Sequence, residues 1–318
     1  MKLPLQLLTI GRVSVDLYGE QLGVPLADVQ TFAKSVGGSP TNVAVAAARL
    51  GRRSAVVTAV GDEELGRYVR GALEGFGVDT RFVGSHPTLL TPLVIAAMES
   101  PDDPTFVFYR APRAPDEEIE LSGEHLEAAR AAAIFWVSAS ALSSARTGAT
   151  ARAMLEERGR RRHTVLDLDY RPSFWADETT ASREIRAAID RVTVAVGNRT
   201  ECRVAVGSDA PEQAADLLLA RGVELAVVKL GAAGVLVATA DERELVPPLE
   251  VEVVSGLGAG DAFGGALCHA LLAGSSPVEA VRFANAAGAI VASRLLCADA
   301  MPTEQEVRRT LEVAGVRD

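Results

Sequence analysis

Between residues 124 and 230 the sequence alternates between helix-like segments and short apolar segments that have the pattern of buried strands. Apolar strands separated by helices favour right-handed βαβ units, and these units build a parallel sheet with helices on both faces. We therefore predict an α/β fold, a three-layer α/β/α sandwich with a mainly parallel central sheet. The predicted helices are 124–131, 145–158, 181–189 and 210–220, and the strands that follow them are 133–137, 164–168, 192–196 and 225–230.

The sequence on either side of this region extends the same architecture. We predict strands at 5–10 and 54–60, helices at 41–50 and 62–76, a strand pair within 235–247, and helices at 277–294 and 304–314. The apolar run 5–10 leads into Gly11 without a cleavage site, so we interpret it as a first strand and not as a signal peptide. All of these elements fit a single domain of 318 residues.

Two stretches break the alternation and predict a second, smaller sheet. Residues 12–18 alternate between apolar and more polar side chains, which is the period of a strand with one solvated face, and residues 31–36 continue in the same style. Within 87–113, two strand-like segments flank a turn at Ser100 to Pro104, which is the pattern of a β-hairpin. We expect these stretches, about 12–36 and 87–113, to form a small β-sheet that stands off the main body.

The glycine-rich stretch from Ser255 to Asp261 has the composition of an anion-binding turn. An apolar run at 249–254 predicts a strand before it, and the helical pattern 262–272 follows it. Glycines allow the backbone to approach a phosphate closely, and the first N–H groups of a helix lack partners within the helix. Asp261 lies at the mouth of this turn, and we interpret it as a functional carboxylate rather than a simple helix cap.

The segment Gly258-Ala259-Gly260-Asp261 resembles the second signature of the ribokinase-like (PfkB) sugar kinases. The segment Gly37-Gly38-Ser39-Pro40-Thr41-Asn42, which precedes an alanine-rich helix, is similar to the first signature of that family. The resemblance covers essentially the whole chain and implies an ATP-dependent kinase that uses Mg²⁺, with the small sheet of about 12–36 and 87–113 as a lid over the sugar. It also implies that Asp261 is the catalytic base and that the N–H groups of Gly258, Ala259 and Gly260 meet the charge on the transferred phosphoryl group.

The same resemblance assigns residues to the substrate and to the nucleotide. Asn198 and Glu201 resemble the family's N-x-x-E element, which organises Mg²⁺ largely through water, although an ordinary helix cap has the same spacing. Asn285 resembles a position that lines the adenine pocket, with a plain surface residue as the alternative. The resemblance implies sugar contacts for Asp16, Gly37, Gly38 and Asn42, and nucleotide contacts for Asn198, Glu201, Lys229, Gly231 and Asn285.

Several segments look like the branch of the family that phosphorylates 5-dehydro-2-deoxygluconate, an acid of inositol catabolism. These segments are 11–18, 108–110, 167–172 with Trp175, and 256–258, and they include Asp169, where the family usually has Asn. A sugar acid needs a cation, and arginine suits bidentate capture of a carboxylate. We expect substrate contacts from Arg12, Arg110, Asp169 and Arg171, with Lys34 and Arg113 as further cations. The runner-up substrate is 2-keto-3-deoxygluconate, followed by a neutral sugar such as fructose or ribose.

Composition limits the other possibilities. The net charge of −10 argues against a nucleic-acid partner, no apolar run is long enough to span a membrane, and no spacing suggests a metal cage. The 3 cysteines show no close pairing, which suits a cytoplasmic protein. A non-catalytic sugar or nucleotide sensor and a Rossmann oxidoreductase are the alternatives from other classes, and the second lacks its glycine fingerprint. We also expect a homodimer through the lids, with Val13, Val15, Leu17, Val94 and Phe106 supplying the apolar face.

Overall fold

The structure is a computed structural model that describes residues 4–100 and 103–315. The predicted turn from Ser100 to Pro104 contains residues 101 and 102, which lie outside the described residues. The strands are β1 (Leu7–Ile10), β2 (Ser14–Gly19), β3 (Phe32–Gly37), β4 (Ser54–Gly61), β5 (Val83–His86), β6 (Leu93–Ser100), β7 (Asp103–Tyr109), β8 (Ile134–Ser138), β9 (Thr164–Asp167), β10 (Val194–Asn198), β11 (Leu225–Lys229), β12 (Val235–Ala238) and β13 (Arg243–Val246).

The helices follow the predicted alternation closely, and α4 has the predicted bounds. They are α1 (Ser39–Arg49), α2 (Glu64–Gly75), α3 (Gly123–Ala131), α4 (Ala145–Arg158), α5 (Glu178–Ile189), α6 (Arg199–Val206), α7 (Pro211–Ala220), α8 (Ala259–Ala273), α9 (Pro277–Ala292) and α10 (Glu304–Val313). Within the described residues, no helix combines the length and the apolar character that crossing a membrane requires.

The main sheet, over the described residues, has the strand order β13-β12-β11-β10-β9-β8-β1-β4-β5. Neighbours from β5 through β11 pair in parallel, and β12 and β13 pair antiparallel at one edge. Side chains alternate across the sheet, so Leu7 packs on one face while Leu8 and Ile10 pack on the other. Helices cover both cores, and the carboxyl ends of the parallel strands gather at one edge, where ligands of such sheets bind.

A second sheet has the strand order β3-β2-β6-β7 among the described residues, and we call these four strands the lid sheet. It is formed by the two stretches that break the alternation in the sequence. The expected apolar face for a dimer is partly wrong, because Val13 and Val15 are fully buried in the main core and Val94 is nearly so. Phe106 on β7 is partly exposed, as that face requires, and Phe108 on the same strand is partly exposed as well. The homodimer stays a prediction.

The predicted strand at 249–254 is wrong. These residues form an irregular segment, and Val251 and Val253 are exposed rather than buried in a sheet. The segment is tied to α9 through Val254 and Ser255, whose N–H groups both donate to the carbonyl of Ala292. Helix α8 also begins earlier than predicted, at Ala259, so that Gly260 and Asp261 lie within its first turn.

Candidate active site

A cavity of about 650 Å³ lies between the lid sheet and the carboxyl ends of the main sheet. Its walls come from the lid strands, from the segments that follow β9 and β10, and from the glycine turn before α8. Its described lining includes Arg12, Asp16, Asn42, Phe108, Asp167, Asp169, Arg171, Phe174, Glu201, Lys229, Gly258, Gly260, Asp261 and Cys297. Residues from separate parts of the sequence therefore meet in one site.

The glycine turn forms the N-terminal end of α8. Gly258 has φ of 75°, a left-handed conformation, and a Cβ at this position would lie 2.7 Å from the Sγ of Cys297. The first hydrogen bond of the helix runs from the N–H of Ala262 to the carbonyl of Gly258, at 2.9 Å. The N–H groups of Ala259, Gly260 and Asp261 are thus left free of the helix's own bonds, and this end of the helix favours an anion.

Asp261 projects from this turn toward the lid side of the cavity. Its Oδ2 accepts a hydrogen bond of 2.9 Å from the Nδ2 of Asn42 on α1. Burial raises the pKa of the Asp261 carboxyl, while hydrogen bonds from Asn42 and Ser39 act in the opposite direction. A carboxylate whose affinity for a proton is increased, placed beside an anion-binding turn, suits a general base that takes a proton from a hydroxyl group during phosphoryl transfer.

The lid end of the cavity is built to hold a polar ligand. Asp16 on β2 accepts hydrogen bonds from the hydroxyls of Ser14, at 2.6 Å, and Tyr18, at 2.9 Å. A Cβ at Gly37 would lie only 2.0 Å from the Asp16 Oδ2, so this neighbour of Asp16 has to be glycine. The Oδ1 of Asn42 is buried and has no hydrogen-bond partner within the described part of the chain. Asn42 also lines the cavity, so this amide oxygen is available to a hydrogen-bond donor of a ligand.

Arg12 and Arg171 flank the buried carboxylate of Asp169. The Nη2 of Arg12 lies 3.1 Å from the Asp169 Oδ2, and the Nε of Arg171 lies 3.0 Å from the Asp169 Oδ1. Burial alone would raise the pKa of Asp169, but the two guanidiniums and the hydroxyls of Ser138 and Ser140 outweigh burial and lower it. Asp169 therefore stays charged and fixes two arginines at the wall of the cavity.

Asn198 and Glu201 form a capping box at the start of α6, and Glu201 lines the cavity. The Oδ1 of Asn198 accepts from the N–H of Glu201 at 2.9 Å, and the Oε2 of Glu201 accepts from the N–H of Asn198 at 2.6 Å. Lys229 lies nearby; burial lowers its pKa, but the carboxylates of Glu201 and Asp167 outweigh that effect and raise it. The Nζ of Lys229 faces the glycine turn, 3.6 Å from where a Cβ on Gly260 would lie.

Comparison with known proteins decides the family of this chain. The model of the pfkB family carbohydrate kinases matches residues 5–304. The chain belongs to that family. A curated relative named 5-dehydro-2-deoxygluconokinase 1, from Bacillus cereus, is 30% identical over 98% of this chain and 96% of its own length. A second, from Geobacillus thermodenitrificans, is 29% identical over 97% and 94%.

Solved structures confirm the ribokinase-like three-layer fold. A putative ribokinase II from E. coli, solved with ATP and Mg²⁺, has a TM-score of 0.87 and 21% identity over 97% of this chain and 99% of its own. A fructokinase from Vibrio cholerae O395, solved with fructose, ADP and calcium, has a TM-score of 0.82 and 25% identity over 96% and 99%. The expectation of a carbohydrate kinase is confirmed, and the oxidoreductase alternative falls.

In this carbohydrate kinase, the carboxylates near the glycine turn fit a Mg²⁺ ion that is held largely through its bound water. No group of three or more His, Cys, Asp or Glu side chains forms a metal cage anywhere in residues 4–100 and 103–315. Magnesium usually keeps several waters and takes few protein ligands, so a few carboxylates suffice. The capping box uses only the Oε2 of Glu201, which leaves its Oε1 for a metal-bound water, and Asp167 lies beside it. Bound Mg²⁺ would neutralise charge on the phosphates.

We predict that Glu201→Gln raises the Mg²⁺ concentration needed for half-maximal rate. Glutamine retains a carbonyl oxygen that can accept from Asn198 in the capping box, so the loss is chiefly that of a negative charge. The measurement is a Mg²⁺ titration of the rate at fixed nucleotide. Glu279→Gln is the matched control, because Glu279 forms the same kind of capping box with Ser276 at the start of α9, away from the cavity. An unchanged requirement in Glu201→Gln would remove Glu201 from the magnesium site.

Some residues that were assigned from the sequence lie outside the cavity lining. Arg110 is bound to Asp116 and Glu117 at the base of the lid, at 2.8 and 3.0 Å. Asn285 donates to the carbonyl of Pro247, at 3.1 Å, and Gly231 begins a short turn after β11. The described lining includes none of Arg110, Asn198, Gly231 and Asn285, and it also lacks Gly37 and Ala259.

The two further cations are also engaged elsewhere. Lys34 lies 3.8 Å from the ring centroid of Tyr68, and Arg113 pairs with Glu118 at the surface. Neither belongs to the described lining. Of the cations expected at the substrate, Arg12 and Arg171 therefore line the cavity, together with Lys229, which the resemblance assigned to the nucleotide.

The structure also brings in residues that the sequence did not single out. Tyr18 and Cys297 support the lid end, where the Tyr18 hydroxyl lies 2.9 Å from both the Asp16 carboxylate and the Cys297 Sγ. Ser138 and Ser140 support Asp169, with hydrogen bonds of 2.7 and 2.6 Å. Ser138 lies at the end of β8, where ligands of such sheets bind, so its place in the sequence could have indicated a role in the site. Nothing in the sequence indicated the role of Cys297.

Proposed function

We propose that this kinase transfers the γ-phosphoryl group of ATP, bound with Mg²⁺, to the terminal hydroxymethyl group of a sugar acid, with 5-dehydro-2-deoxygluconate as the first candidate. The observation that carries the proposal is the position of Arg12 and Arg171 in the cavity that also holds Asp261. The names of the curated relatives point to the same substrate. The ATP and Mg²⁺ of the E. coli neighbour support the choice of phosphoryl donor.

The substrate is oriented by its two ends. A hydroxymethyl group beside Asp261 and the free N–H groups of the glycine turn lies where phosphoryl transfer takes place. Hydroxyl groups farther along the chain of the substrate meet Asn42 and Asp16, and a carboxylate at the far end meets Arg12 and Arg171. Asp261 then accepts the proton of the attacking hydroxyl, and the helix N-terminus stabilises the charge on the transferred group.

A neutral sugar is the second candidate, and the charge of the cavity favours it. Five carboxylates and three cations belong to the described residues of the lining, so the cavity as a whole repels an anion. A sugar acid is accepted only where the cations are concentrated, which is the wall formed by Arg12 and Arg171. Asp16 and Asn42 alone would suffice for a neutral sugar such as fructose.

We predict that Arg171→Gln lowers kcat/KM for the sugar acid by about ten- to a hundredfold and has little effect on a neutral sugar, because one charge-assisted contact to a carboxylate is lost. Arg171 suits the test because its side chain is 59% exposed, so its removal leaves no large buried void. Arg183→Gln is the control, since Arg183 is similarly exposed on α5, outside the cavity.

The experiment is a coupled assay of ADP release with 5-dehydro-2-deoxygluconate, 2-keto-3-deoxygluconate, fructose and ribose under one set of conditions. A preference of the wild-type enzyme for fructose or ribose would overturn the sugar-acid proposal and leave the kinase intact. No turnover with any sugar, together with binding of nucleotide, would favour the sensor alternative.

A further inference from the structure

Phe174 lies where three parts of the molecule meet. It belongs to the short turn Pro172–Phe174 that follows β9, and it lines the cavity. The Cζ of Arg12 is 4.6 Å from its ring centroid, and that of Arg110 is 5.3 Å away. Phe108 of the lid sheet contacts the same ring edge-on, with centroids 6.1 Å apart and an interplanar angle of 80°. The ring is therefore in contact with two guanidiniums and the lid.

Both guanidiniums are anchored away from the ring. Arg12 donates through Nε to Ser140 and through Nη2 to Asp169, both at 3.1 Å. Arg110 donates to Asp116 at 2.8 Å. The carboxylate of Asp116 also accepts from the N–H of Val13, at 2.9 Å, and its side chain is fully buried. Asp116 thus joins the two points where the chain enters β2 and leaves β7, and Arg110 is part of the base of the lid.

Phe174 lies within cation–π distance of both anchored groups. The bonds of Arg12 to Ser140 and Asp169 use Nε and Nη2 and define the plane of the guanidinium, and the ring contact supports the same orientation. The same ring also contacts Phe108 on β7, so Phe174 links the lid sheet to Arg12. Aromatic rings attract guanidinium groups and are also good partners for other rings, so both contacts stabilise one arrangement.

We propose that Phe174 is a positioning residue that holds the Arg12 guanidinium toward the substrate and couples this orientation to the contact between the lid sheet and the floor of the cavity. The inference rests on the proposed function, in which Arg12 faces the acid group of the substrate. It assigns no chemical step to Phe174. It also makes Arg110, which contacts the same ring, a fixed support rather than a substrate contact.

The test compares Phe174→Leu with Phe174→Tyr, which keeps the ring, and with Phe32→Leu on the far edge of the lid sheet as a control. One cation–π contact corresponds to roughly a two- to thirtyfold change in an equilibrium constant. We expect Phe174→Leu to raise KM for the sugar acid by about that factor while KM for ATP and the melting temperature stay at their wild-type values. Phe174→Tyr restores the wild-type KM.

A double-mutant cycle with Phe108→Leu tests the coupling to the lid. We expect the effects of Phe108→Leu and Phe174→Leu on KM for the sugar acid to be less than additive, because each removes the same ring contact. The inference is overturned if Phe174→Leu behaves like Phe32→Leu, if Phe174→Tyr fails to restore KM, or if the two leucine effects are additive. A wild-type enzyme that prefers a neutral sugar is a separate outcome, visible before any variant is made, and it overturns the proposed function together with this inference.

Discussion

Asp261→Asn is expected to lower kcat by about 10²- to 10⁴-fold, the usual contribution of a general base, while ATP binding is retained. Asp261 is the third residue of α8, and its carboxylate contacts Asn42 at the end of the cavity that we assign to the sugar. Asparagine has the same size and keeps an oxygen that can accept from Asn42, so the geometry survives. What it lacks is the ability to take a proton from the substrate hydroxyl.

The control for this prediction is Asp177→Asn. Asp177 caps α5 through a hydrogen bond of 2.6 Å from the N–H of Thr180, and it lies outside the cavity lining. Both substitutions neutralise an aspartate at a helix N-terminus, but only Asp261 has a position suited to catalysis. The measurements are kcat from ADP release and ATP affinity from calorimetry. If Asp261→Asn retains the kcat of Asp177→Asn, Asp261 is a helix cap and nothing more.

The parts of the site that depend on local backbone geometry could be predicted from the sequence. Gly38 and Gly258 have positive φ angles of 96° and 75°, a backbone conformation that glycine adopts without strain. Both glycines belong to the segments that resemble the two family signatures, 37–42 and 258–261. The alternation that predicted the parallel sheet is equally local, since each helix and each strand carries its own period.

The predicted strand before the glycine turn failed because a strand is defined by its partners. Residues 249–254 have an apolar, β-branched composition, but among the described residues they pair with no strand of either sheet. Their apolar side chains at Val251 and Val253 remain exposed. Local periodicity indicates an extended chain and cannot show whether a neighbouring edge is available to it.

Arg110 illustrates the same limit for charge. The sequence shows a cation at the end of a lid strand, and a substrate contact was a reasonable prediction for it. The structure places the carboxylates of Asp116 and Glu117 within 3.0 Å of its guanidinium. These partners are six and seven residues away in sequence. Arg12 and Asp169, which do meet in the cavity, are separated by 157 residues. Sequence gives the charge of each side chain, and only the fold determines its partner.

Arg158 lies at the end of α4, and no pattern in the sequence predicted a role for it. Arg158 is only 3% exposed. Its guanidinium donates to backbone carbonyls where α3 ends and just before β8 and β9 begin. Burial lowers the pKa of Arg158 to about 10, so the guanidinium remains charged at neutral pH. The carbonyls that accept from it are those of Ala129, Arg130, Ala132, Ala133 and His163.

We predict that Arg158→Met lowers the free energy of unfolding by about 3–5 kcal/mol, because it removes the side-chain donor to the buried carbonyls of Ala129 and Ala132. The last carbonyls of a helix have no partner within the helix, and here Arg158 supplies partners for α3. Methionine has a similar length and removes the donors without opening a large cavity. Arg158→Lys keeps the charge but has a single nitrogen, and we expect an intermediate loss.

Urea denaturation of each variant measures the effect, with Arg130→Met as the matched control. Arg130 lies in the same region but is 53% exposed, and it forms a surface ion pair with Glu157 at 3.2 Å, which is worth about 0–1 kcal/mol. Arg158 does not belong to the described lining of the cavity. The folded fraction of Arg158→Met should therefore keep the wild-type KM for ATP and sugar. If Arg158→Met is as stable as Arg130→Met, the carbonyls find other donors and the guanidinium does not hold this region together.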